Sequence, residues 1–166
     1  MPASIHARIG RICIGMGLSL ALGSASGLLM PIALAASPQI IVPPGFNCPT
    51  KIADYPHEST HMQNNKNVYV VTTTGESVGC TEVVTSLTLT TYLVVGSLSS
   101  GQEVASATTT WYNTSAAGYK TTASVPCSSF GNGDYSAKVG GSFVYNGQVG
   151  QLPISEVNDI YVSGCP

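Results

Sequence analysis

The residues His57-Glu58-Ser59-Thr60-His61 match H-E-x-x-H. On an α-helix this spacing sets two imidazoles on one face, where they hold a zinc ion while the glutamate takes a proton from the metal-bound water. The chain would then be a small secreted zinc metallopeptidase, with His57 and His61 as ligands and Glu58 as the catalytic base. The neighbours oppose a helix. Pro56 precedes the motif, no apolar period leads into it, and Gln63-Asn64-Asn65-Lys66-Asn67 stands where the helix would continue. No G-x-x-H follows, and the third histidine, His6, lies near the N-terminus, so another protein ligand would have to be an acid such as Glu76 or Glu82. The expectation is a solvated polar loop with no resident cofactor and no catalytic metal.

Other chemistry is sparse. A Ser-His-Asp nucleophile would have to draw its base from the same two histidines, and no G-x-S-x-G surrounds any serine. Glu156 and Asp159 lack the ligand register of a calcium loop and read as solubilising a turn. Asn113-Thr114-Ser115 matches a glycosylation sequon, relevant only in a host that glycosylates. No residue set makes a credible active site, so the reading leans away from an enzyme.

The cysteines carry more information. Of the 5, Cys13 sits among the first residues and Cys48, Cys80, Cys127 and Cys165 follow. An even number in a small exported domain reads as two disulfides, and with no C-x-x-C the spacing suits neither a zinc knuckle nor a thioredoxin-type pair. Three pairings are possible. Cys48 with Cys80 and Cys127 with Cys165 is preferred, each closing a loop of roughly 30 to 40 residues and contributing about 3–4 kcal/mol.

Export is read from the N-terminus. Both arginines, Arg8 and Arg11, precede an uncharged stretch from Ile12 to Ala36, and Ala33-Leu34-Ala35 supplies a small-x-small cleavage pattern. Residues 1–35 are therefore expected to be a signal peptide, leaving no membrane attachment after its removal. Four lysines then face all 8 acids, a net charge of −4 without arginine. Such a chain has no footprint for phosphate backbones, so nucleic acid is excluded as a partner.

The remaining chain divides by texture. Residues 36–66 read as an extended arm and polar loop, in which Pro38, Pro43 and Pro44 flank Ile40-Ile41-Val42. Three adjacent large aliphatics either pack on the domain as an edge strand or bind a partner. Residues 67–166 are rich in Val, Thr, Tyr and Ser with glycine punctuation, and no window holds a 3.6-residue apolar period. The stretch Cys80 to Val95 alternates, with Val83, Leu87, Leu89, Leu93 and Val95 on the face expected to be buried. Trp111 on the next strand is expected in the core, Cys127 points inward with Ala123 and Val125, and Asn146-Gly147 is a strong hairpin signal. The expected fold is all-β, an antiparallel β-sandwich of six to eight strands with an N-terminal arm.

A strand beginning at Cys80, a later strand with Trp111, and Cys127 followed by Gly133-Asp134-Tyr135 and a hairpin together resemble small secreted immunoglobulin-like proteins of bacteria. The resemblance implies an immunoglobulin-like sandwich and offers Cys80 with Cys127 as the competing pairing, in the manner of an inter-sheet bridge. It implies no particular activity. The functional expectation is a secreted, extracellular, non-enzymatic binding or assembly module. It would contact a protein partner of unknown identity through strand edges, loops or the arm at Ile40, Ile41 and Val42. A secreted inhibitor or toxin accessory protein is the further alternative.

Overall fold

The structure, a computed structural model, describes residues 41–63 and 66–166. The expected signal peptide and Ile40 lie outside the described residues. Seven strands and one short helix follow in order: β1 (Thr50–Gln63), β2 (Lys66–Ser77), β3 (Val84–Val95), β4 (Gln102–Thr114), β5 (Lys120–Pro126), α1 (Cys127–Phe130), β6 (Gly133–Tyr145) and β7 (Gln148–Val162). They form two antiparallel sheets, one ordered β1-β2-β5 and the other β4-β3-β6-β7. The expected all-β sandwich is what the chain forms.

Alternation explains β3. Leu87, Leu89, Thr91 and Leu93 point inward and are fully buried, while Ser86, Thr88, Thr90 and Tyr92 face outward. One expected core position is corrected: Val83 precedes the strand and is 60% exposed, and Val84 is buried in its place. Thr85 has no partner in the β3–β4 ladder, between the pairs Val84↔Thr114 and Ser86↔Tyr112, where Asn113 with a φ of 49° breaks the extended geometry at the end of β4. The Asn146-Gly147 signal holds. Both residues have positive φ, 48° and 76°, which a two-residue turn needs if it is to match the twist of β6 and β7.

The segment 48–66, expected to be arm and irregular loop, contains the fourteen-residue β1 instead. Its residues are too polar to show a buried stripe because their partners, not their own hydrophobicity, hold them. β1 pairs with β2 from Thr50↔Ser77 to Gln63↔Lys66, with register breaks between Ile52 and Asp54 and between Asp54 and His57. Glu76 on β2 sits between Lys51 of β1 (3.1 Å) and Lys120 of β5 (3.5 Å), an ion triad across all three strands.

Two apolar clusters fill the space between the sheets. One gathers Val71, Leu93, Ala123, Val125, Tyr135 and Val162, the other Val84, Leu87, Leu89, Val139, Phe143 and Leu152. The Trp111 ring is packed against the second cluster and stacks on Tyr119 at 4.6 Å. Gly75 sits where a Cβ would collide with Thr91 and Val139 of the opposite sheet, so the sheets approach closely there. Buried hydroxyls are paired: Thr91 with Thr121 (2.7 Å), and Thr73 to the Asp54 carbonyl (2.8 Å). Among the described residues no buried side-chain polar atom lacks a hydrogen-bond partner, as low-dielectric burial requires.

Both disulfides join the preferred partners, Cys48–Cys80 and Cys127–Cys165. The first ties the segment before β1 to the segment before β3. The second ties α1 to the C-terminal tail, which Asn132 also clamps by accepting hydrogen bonds from the N–H groups of Gly164 and Cys165 (3.0 and 2.9 Å). Such bridges belong to an oxidising compartment. No helix among the described residues is long and apolar enough to cross a membrane.

Candidate functional site

His57, Glu58 and His61 lie in the middle of β1, not on a helix. A strand rises about 3.3 Å per residue and alternates its faces, so the two histidines share one face about 13 Å apart and Glu58 occupies the other. His57 and His61 oppose Thr72 and Val68 and are exposed. The His57 Nδ1–H donates to the Tyr55 carbonyl at 2.7 Å. Glu58 opposes the buried Val71 and lies beside Gly164 of the C-terminal tail. The fold separates the imidazoles and turns the carboxylate away from them, so it does not assemble the geometry that H-E-x-x-H chemistry uses. Among the described residues no three His, Cys, Asp or Glu side chains gather as a metal-binding group.

The arm divides at Val42. Ile41 is 79% exposed, and its N–H donates to the Gln148 side chain at 2.7 Å. Val42 and Phe46 pack against the chain's own core, with the Phe46 ring 4.8 Å from Phe143 and 5.3 Å from Tyr145. The described part of the expected partner-binding triplet is thus split, one side chain in solvent and the next on the domain.

A shallow groove of about 370 Å³ opens on the outer face of the four-stranded sheet, over the floor that Gly140 leaves bare between Tyr92, Lys138 and Ile154. The Lys138 ammonium already covers the Tyr92 ring at 4.7 Å, so the aromatic face is occupied from within. A second depression is lined by Ser97, Glu156, Asn158 and Asp159. There the Asn158 Oδ1 is engaged by the Leu98 N–H (3.0 Å), and the Asp159 N–H donates to Ser136 (3.1 Å).

The four outermost strands differ more sharply than the concave surfaces do. β1 carries Pro56 and two register breaks, and β7 carries Pro153 and opposes two breaks of its pairing with β6. These two strands also lie side by side, because Thr50 donates to the Pro153 carbonyl (2.7 Å) and Ser155 donates to the Thr50 carbonyl (2.7 Å). β5 has only seven residues, opening on Lys120 and closing on Pro126. Short length, proline, lysine and irregular register are the devices that keep an edge from pairing with another chain.

β4 has only one of these, a bulge at Val104 between Glu103 and Ala105, and it lies beside β5 as β1 lies beside β7. It is thirteen residues long, has no proline or lysine, and bears one charge, Glu103. Its pairing with β3 is continuous from Ala105 to Tyr112. Among the described residues no backbone hydrogen bond of β4 runs to any strand other than β3. Ser106, Thr108, Thr109, Tyr112 and Asn113 are exposed along it.

No family model and no curated protein matches this chain. The sequence points to strand edges, loops or the arm at Ile40, Ile41 and Val42, and singles out no strand. The signal was present in the uncharged run from Val104 to Tyr119, but which strand becomes an edge is a property of the sheet order.

Proposed function

We propose that the protein is a secreted, extracellular, non-enzymatic binding and assembly module that engages a protein partner by strand addition at β4. The observation that carries this reading is the contrast among the edges: three are shortened or interrupted by proline, whereas β4, past its one bulge at Val104, runs from Ala105 to Tyr112 without proline, lysine or a further break. An open row of backbone N–H and C=O groups supplies affinity through main-chain hydrogen bonds, and alternate side chains supply selectivity. A secreted inhibitor or toxin accessory protein would use the same surface. The sandwich itself is read as immunoglobulin-like. The sheet order and the buried Tyr135, whose hydroxyl donates to the Gly131 carbonyl at 2.8 Å near the start of β6, support that reading, the latter as a tyrosine corner.

The test is a photo-crosslinking amino acid placed at Thr109 on β4, or at Thr122 on the guarded sheet, in protein secreted by its own host. A defined adduct is expected from position 109 and not from 122, and Thr109→Lys should abolish partner recovery while the melting temperature stays within about 2 °C, as for exposed sites generally. Equal adducts from both positions, or a partner retained by Thr109→Lys, would remove β4 as the site.

A further inference from the structure

We infer that the strand β4 accepts is β4 of a second copy, paired antiparallel about a two-fold axis at Thr109. This deepens the edge reading above and rests on it. The strand's own geometry limits the centre: its paired stretch starts at Ala105, after the bulge at Val104, and ends at Tyr112, before Asn113 adopts a φ of 49°, and because opposed residues share a face the axis falls on Thr108 or Thr109. An axis at Thr108 would set Tyr112 opposite Val104, at the bulge, whereas one at Thr109 sets it opposite Ser106 within the paired stretch.

The side chains are self-complementary about the Thr109 axis. A two-fold at Thr109 sets Thr108 opposite the second copy's Thr110, Ala107 opposite its Trp111, and Ser106 opposite its Tyr112. Each small residue faces a large one, and Tyr112, 71% exposed, gains a neighbour. Thr110 and Thr108 already pair with Thr88 and Thr90 across β3, both at 2.9 Å. A hydroxyl has one proton and two acceptor positions, so each retains capacity for a threonine on its other side, and cross-strand Thr–Thr pairs stabilise a sheet. Charge does not oppose the arrangement. Glu103 falls opposite Ser115, beyond the paired stretch, so no like charges meet.

Pairing in this way joins two four-stranded sheets into one sheet of eight, with β4 central, and leaves no unguarded edge on either copy. The interface is isologous and closes after two copies, so it does not propagate into a fibre. It is also small, so dissociation on dilution is expected on the order of micromolar concentration.

Sedimentation of the purified, oxidised protein across concentration tests the inference, with Thr109→Lys, Thr109→Val, Thr109→Cys and Ser106→Cys variants alongside. The expected result is a reversible monomer–dimer equilibrium that Thr109→Val keeps and that Thr109→Lys weakens at least tenfold with an unchanged circular dichroism spectrum, since two lysines would meet at the axis. Under mild oxidation Thr109→Cys should form a covalent dimer and Ser106→Cys should not, because its two copies would stand about 20 Å apart. A dimer insensitive to Thr109→Lys, or equal cross-linking of both cysteine variants, overturns the pairing or its register. A protein that stays monomeric throughout overturns self-pairing. In that case a host-protein adduct at position 109 preserves the edge reading, and its absence ends both.

Discussion

Tyr135 shows what one side chain contributes. Its ring is fully buried between the sheets, and its hydroxyl reaches the carbonyl of Gly131 four residues back, fixing the chain's entry into β6. Burial disfavours the phenolate and raises its pKa above the ordinary value near 10. The sign of the linkage follows. Above about pH 10 the unfolded chain releases this proton while the folded chain keeps it, so the contribution is fully present below that pH and is lost as pH rises toward the folded-state value. Thermal unfolding from pH 7 to 11 should show a decline in the melting temperature beginning near pH 10, and Tyr135→Phe should make that decline shallower. At pH 7 the same variant should lose about 1–2 kcal/mol, the cost of leaving the Gly131 carbonyl without its donor. An alkaline limb unchanged by Tyr135→Phe would show that other groups cause it.

Among elements, the N-terminal arm and β1 show how context redefines a segment. Proline excludes a helix from the arm but does not say where the arm lies. Packing decides that, since Phe46 finds Phe143 and Tyr145. Phe46→Ala should therefore lower stability by about 2 kcal/mol in denaturant unfolding, reflecting a half-buried ring. Ile41→Ala should change it by less than about 0.5 kcal/mol, because that side chain stays in solvent. Equal losses would place Ile41 on the core as well. β1 is the converse case: a polar strand, with His57 and His61 on one face and Glu58 on the other, exists because β2 offers it a ladder.

Across the whole molecule, stability is shared between a modest core and two staples. The disulfides close stretches of 32 and 38 residues, and each restrains the unfolded chain by about 3–4 kcal/mol. Removing the pair Cys127/Cys165 by alanine substitution should lower the melting temperature by roughly 10–15 °C while Asn132 still holds the tail. None of Cys48, Cys80, Cys127 and Cys165 should be titratable as a free thiol in the unfolded, unreduced protein. Two free thiols would show that one bridge does not form, and an unchanged melting temperature would show that Asn132 alone secures the C-terminus.

Composition and local pattern by themselves determined that this chain forms strands, that Leu87, Leu89 and Leu93 turn inward, and that Asn146-Gly147 reverses the chain. Each of these rests on interactions a few residues long or on the two-residue period of a strand. The strand identity of residues 50–63, the replacement of Val83 by Val84 in the core and the separation of His57 from His61 were decided by tertiary structure. These depend on a partner strand distant in sequence or on a single backbone angle at Asn113, and neither leaves a mark on the hydrophobic pattern. The open edge at β4 belongs to the same class: the uncharged run from Val104 to Tyr119 is visible in the chain, but an edge exists only once the sheets are ordered.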